Sequence, residues 1–229
     1  MKTAMKNTKV YQNEAEFSVK AKRYVYAAKC FDYLAKLFLE NNNVDIAAQY
    51  FVKGAELWLS LENFYEAGQM YRQAAKLSNH HIHLVNNALS CFYEALTTFT
   101  NNANYFKAGL CAKYIASCFN SLDQKEKQCE HLKLAAELFV SSGMEYLKIK
   151  QYDKAINSFE YAVRCYDYLG LDLQSEQIKS KIHKYKNNLH LSKGKKNDKM
   201  QFNSSNNNLM STKKTFSQKN SKFQKNHVW

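Results

Sequence analysis

The stretch AAQYFVKGAELWLSLENFYEAGQMYRQAAKL, residues 47–77, decides the fold. It carries the same small–large–small series twice, as Ala47, Phe51 and Gly54 and again as Ala67, Tyr71 and Ala74. Spacings of four and then three residues put these side chains on one helical face. The small ones stand where a neighbouring helix passes close, the aromatic ones where a gap must be filled. Outward from this stretch the small residues return at Ala27-Ala28, Ala88 and Ala108-Gly109, with steps of 20, 20, 21 and 20 residues from 27 to 108. Ala88, Phe92 and Ala95 repeat the series once more. A recurrence of this length marks units that bury little alone and become stable by stacking.

The pattern predicts helices over 24–40, 44–60, 64–77, 82–100 and 105–121, and a sixth beginning near Lys125. An earlier helix is expected to begin near Asn13. A last amphipathic one is expected over 172–191, with Ile178, Ile182, Tyr185 and Leu189 on one side. Polar runs such as Asn41-Asn42-Asn43 and Ser78-Asn79-His80-His81 separate them. From Phe139 onward the period changes: Phe139, Gly143, Tyr146, Ala155, Phe159 and Ala162 stand at offsets 0, 4, 7, 16, 20 and 23, the tetratricopeptide pattern. The expected fold is all-α: a tetratricopeptide-like right-handed α-solenoid of stacked antiparallel helical hairpins over 24–191. A basic, partly helical segment precedes it over 1–23, and a disordered Lys/Asn/Ser-rich tail follows over 192–229.

Charge divides the chain in the same places. The formal net charge is +13. Residues 24–191 hold 18 Lys/Arg against 17 Asp/Glu, residues 1–23 hold 6 against 2, and residues 192–229 hold 9 against 1. The repeat body is nearly neutral and the ends are basic. Such ends attract acidic lipid headgroups, so peripheral membrane contact is one expectation, with Phe202, Phe216, Phe223 and Trp229 available for an interface. A merely solvated tail is the simpler reading, and nucleic acid the least favoured.

The six cysteines form no CxxC pair and fall among apolar residues, which reads as buried reduced thiols and a reducing compartment. Residues 1–10 carry three lysines and no apolar core, so a secretory signal is not expected. No stretch approaches the roughly 18 apolar residues of a membrane span. The expectation is a cytoplasmic protein. None of the six glycines cluster into a phosphate cradle, and no HExxH or GxSxG occurs. His80, His81 and His83 form the densest ligand cluster but have no Cys or carboxylate beside them, and they read as a polar interhelical turn. Glu56, Glu66, Glu94 and Glu137 fall at surface spacing. No catalytic residue, cofactor or metal is expected.

The stretch quoted at the outset, together with NNALSCFYEALTTFTNNANYFKAGLCAKYIASCF over 86–119, resembles the soluble NSF attachment proteins. The likeness covers roughly residues 24–170. It implies tetratricopeptide-like hairpins and a non-catalytic adaptor in vesicle transport. Such an adaptor coats assembled SNARE bundles through a curved, partly basic face and recruits the ATPase NSF for their disassembly. The chain departs from the family pattern at both ends. Phe17 stands without the Phe-Phe pair of the family's membrane loop, and the family's C-terminal leucine has no counterpart in Asn226-His227-Val228-Trp229. The alternative kept open beside this is a generic scaffold that binds a peptide or helix in its groove.

Overall fold

A computed structural model describes residues 2–79 and 81–187, with side chains from residue 8 onward. Eight helices follow one another: α1 (Lys2–Lys20), α2 (Tyr24–Glu40), α3 (Val44–Ser60), α4 (Phe64–Leu77), α5 (Ile82–Asn101), α6 (Tyr105–Ser121), α7 (Lys125–Lys148) and α8 (Tyr152–Tyr168). The chain is helical again over 172–187. Residues up to 179 belong to one compact unit, and the described residues 180–187 to a second. The bounds of α2, α3, α4 and α6 coincide with those read from the sequence. The tail expected over 192–229, the last residues of the final helix and His80 lie outside the described residues.

One expectation needs correcting. The first helix begins at Lys2, not near Asn13. Asn13 is a weak helix former, but Glu14, Ala15 and Glu16 carry the helix through it. Ala15 is fully buried and shares a cluster with Cys30, Phe31 and Leu34 of α2. The basic N-terminal segment is therefore a packed member of the stack.

The links explain the twenty-residue period. Helix α2 ends as Asn42 turns to φ +59°, and the Asn42 and Asn43 N–H groups donate back to the carbonyls of Leu39 and Phe38, each at 2.9 Å. This is a Schellman motif, which satisfies the last carbonyls of a helix. The residue that closes it is also the N-cap of the next helix, so the chain reverses in three residues. The same closure recurs with Lys22, Glu62, Ala103, Asp123, Lys150 and Gly170 in the left-handed position. Asn63 and Asn104 add side-chain caps, their Oδ1 atoms accepting from the N–H groups of Glu66 at 3.4 Å and Lys107 at 3.3 Å. The α4–α5 link, with Asn79 at φ +49°, is longer and accounts for the break in period.

Successive helices pack antiparallel, and side chains from every second helix also meet. Tyr93 of α5 reaches His131 of α7, with O–H and Nε2 at 2.9 Å. Tyr65 of α4 meets Tyr114 of α6, ring centroids 6.3 Å apart. The result is an all-α solenoid with one layer of odd helices and one of even helices.

Glycine sets the closest approaches. A Cβ at Gly68 would lie 2.9 Å from the Phe92 ring, at Gly109 2.8 Å from Phe139, and at Gly143 2.3 Å from Phe159. Phe92, Phe139 and Phe159 are fully buried, worth about 1.5–3 kcal/mol each. Beside Gly143 a Ser142–Ser158 hydroxyl bond of 3.0 Å joins α7 to α8. Ser158 donates onward to the Lys154 carbonyl, so Ser142 is the donor in that pair. Lysines then cover aromatic rings across the turns: Lys107 over Phe99, Lys127 over Phe119 and Lys154 over Tyr146, at 5.1, 5.4 and 5.5 Å, each eight residues further on.

Candidate functional site

Among the described residues, two clefts large enough for a ligand or a partner's side chains open beside the even helices. The first, about 660 Å³, runs along α2 and α4 to Tyr114 of α6. Phe51, Trp58 and Met70 make its apolar floor, while Lys29, Lys36 and Arg72 bring positive charge to its walls. Asp32 and Glu66 are its carboxylates, and Asp32 is already paired with Lys36. The second cleft, about 320 Å³, lies between α6, α7 and α8 and has two cations, Lys113 and Arg164, with no carboxylate in its lining.

Aromatic rings stand against three of these cations, Arg72, Lys113 and Arg164. The Arg72 guanidinium sits 4.7 Å from the Tyr114 centroid and donates to the Gln69 amide oxygen at 3.1 Å. Its Nε is buried without a partner. Next to it, burial and then the Arg72 charge push the Lys76 ammonium below its ordinary range, and both residues face Ser117 across a void of about 10 Å³. Lys113 and Arg164 both lie 5.4 Å from the Tyr161 centroid. Among the described ion pairs none engages Lys29, Arg72, Lys76, Lys113 or Arg164. Five cations on even helices, outside the described ion pairs, can attract an acidic group and hold it by charge-assisted hydrogen bonds.

The residues singled out from the sequence sit elsewhere. Ala47, Phe51, Gly54, Ala67, Gly68, Tyr71, Ala74, Ala88, Phe92, Ala95, Gly143, Ala155, Phe159 and Ala162 are all buried between helices, and Tyr146 is half-buried under Lys154. They build the stack, and of the two described clefts Phe51 alone among them lines one. The even-face cations were not singled out, since nothing in their local spacing distinguishes them from solvated lysines. The signal lies in which helices alternate. Five of the six thiols are buried, none is in a disulfide, and burial pushes Cys111 up to about 12 and Cys91 and Cys118 up to about 11. Glu56, Glu66, Glu94 and Glu137 are exposed. Among the described residues no three His, Cys, Asp or Glu side chains converge, and no helix is long and apolar enough to cross a membrane.

Compared with known families, residues 1–222 match the model described as soluble NSF attachment protein, SNAP. The chain belongs to the soluble NSF attachment protein family. The match extends the likeness at both ends and takes in α1. No curated protein sequence matches the chain significantly. Among solved structures, BtubC (BKLC) from P. vanneervenii is similar with a TM-score of 0.38 and 14% identity, over 82% of this chain and 90% of that one. The TPR2AB domain of yeast Sti1, in a structure titled as a complex with pHSP90, is similar with a TM-score of 0.27 and 11% identity, over 78% and 85% of the two chains. Neither likeness bears on partners. This SNAP-family chain is a helical adaptor or scaffold, and the cations that line its two described clefts sit on even helices.

Proposed function

We propose that the protein is a non-catalytic SNAP-type adaptor in intracellular vesicle transport, which binds assembled SNARE bundles and recruits an NSF-type ATPase for their disassembly. It works in the cytoplasm and peripherally on endomembranes. The observation that carries this reading is the family match over residues 1–222. The unpaired cations of the even layer support it, because a coiled helical bundle with an acidic surface can lie along successive even helices and meet one cation after another. Each such contact is weak, and the sum over several helices gives affinity that falls with salt. The experiment is retention of a purified, assembled SNARE bundle and NSF on the immobilised full chain at low salt. Retention of both is expected; loss of both at every salt concentration overturns the reading.

A second reading is a scaffold that grips a peptide's carboxylate tail. Asn63 stands beside Lys29, Lys36 and Arg72 in the first cleft, which is the set of donors such a tail needs. Competition between a short acidic-tailed peptide and the bundle for the same chain separates the two.

A further inference from the structure

The second cleft has a composition that bundle binding does not require. Its floor is apolar, formed by Ala116, Leu132 and the buried thiol of Cys165, with the rings of Tyr161 and Tyr168 as walls. Burial raises the Cys165 thiol even though Lys113 acts to lower it, so the thiol stays uncharged and does not neutralise the lysine. Lys113 and Arg164 lean on one shared ring from two helices, and among the described residues neither is in an ion pair nor has a carboxylate beside it in the cleft lining. At one end the Gln128 amide donates to the Tyr168 hydroxyl at 2.9 Å, tying α7 to α8 and closing the cleft there. The volume, about 320 Å³, lies at the lower end of small-molecule sites, which run from about 300 to 1,000 Å³. A flat bundle surface would leave this depth unfilled.

We propose that the cleft between α6, α7 and α8 binds a free amphipathic monocarboxylate, its aliphatic or aromatic body on Leu132 and Ala116 and its carboxylate between Lys113 and Arg164. Charge complementarity fixes the sign of the head group. The apolar floor requires a body of several carbons, since a small inorganic anion would leave it unfilled. The Tyr161 ring positions both cations, so the site is organised before the ligand arrives. This inference does not rest on the SNARE reading, and either can fail alone.

The test is isothermal titration of the full chain with decanoate below its micelle concentration, with decanol as the uncharged match. One site per chain is expected. Lys113→Gln and Arg164→Gln should each weaken binding about tenfold, the loss of one charge-assisted hydrogen bond. Leu132→Trp, which fills the floor, should abolish it while circular dichroism stays that of the parent. Decanol should bind at least tenfold more weakly than decanoate. Four results overturn the proposal: no heat of binding, several sites per chain insensitive to the glutamine variants, decanol binding equal to decanoate, or an acetylated Leu-Glu amide binding as tightly as the free acid.

Discussion

Replacing Gly143 by alanine should cost about 2 kcal/mol, although alanine is the better helix former. A Cβ at position 143 would sit 2.3, 2.6 and 2.7 Å from three atoms of the Phe159 ring, against an ordinary contact of 3.4–4 Å. The ring is fully buried and rigid, so it must retreat by more than an ångström or push α8 away from α7. Overpacking typically costs about 1–3 kcal/mol, and three ring atoms this close place Gly143→Ala at about 3; the helix-propensity gain of alanine over glycine returns about 0.8–1, leaving about 2. Gly54→Ala is the control, because its Cβ would also lie 2.3 Å from a neighbour, here the terminal methyl of Met70. That thioether has three rotatable bonds and can swing aside, so the same substitution should leave stability within about 0.5 kcal/mol of the parent once the propensity gain is counted. Urea unfolding followed by far-ultraviolet circular dichroism reads both, and melting should drop by about 4–8 °C for Gly143→Ala alone. Phe159→Leu added to Gly143→Ala should recover part of the loss. If Gly143→Ala matches Gly54→Ala, the close approach of α7 and α8 does not limit the stack and the packing argument fails.

Other outcomes follow from the turns and the thiols. Gly170→Ala should destabilise by about 1 kcal/mol with no neighbour within 4 Å of the added methyl, because the cost is the left-handed φ of +65°. Ala103→Gly, at φ +53°, should stabilise by a similar amount; equal and opposite shifts in urea midpoint are expected, and no change in either variant contradicts the turn assignment. In the thiol set, burial raises Cys91, Cys111 and Cys118 in the folded chain to about 11, 12 and 11. Folded chains hold these protons where unfolded chains, with thiols near 8.5, release them. Their contribution is therefore intact below about pH 8.5 and lost as pH climbs toward the folded values, at most about 1.4 kcal/mol per thiol per pH unit. Lys76, lowered by burial, acts in the opposite sense but is a single group. The urea midpoint should fall between pH 8.5 and 10.5, less so in Cys111→Ala; a flat or rising midpoint counts against the buried thiols. A disulfide reagent at pH 8 should label half-buried Cys129 first, with the other five reacting only on unfolding.

Much of the fold is legible in the sequence because the same local rule repeats. Small residues must face neighbouring helices, so Ala47, Ala67 and Ala88 fix the inward face, and polar breaks such as Asn41-Asn42-Asn43 fix the ends. The reversal is less legible, because the left-handed position is held by Lys, Asn, Glu, Ala and Asp as well as glycine. What recurs there is a backbone geometry that leaves little mark on residue type. The start of helix α1 is poorly legible because Asn13 reads as a boundary, whereas Ala15 and Ser18 bury against the stack and hold the helix through it. The candidate surface was hardly legible at all. Arg72 and Tyr114 are 42 positions apart, and only the pairing of α4 with α6 brings them to 4.7 Å. A lysine on a solvated face and one standing over a shared ring look alike until the layers are known.

The most direct measurement is fluorescence anisotropy of a labelled, assembled SNARE bundle titrated with the full chain and two charge-reversed variants. Lys29→Glu with Arg72→Glu reverses charge on the even layer, and Lys53→Glu with Lys133→Glu does so on the odd layer. The SNAP-type reading has the even-layer pair weakening binding at least tenfold and flattening its salt dependence, while the odd-layer pair binds like the parent. Equal losses from both pairs, or a loss confined to the odd layer, would contradict it.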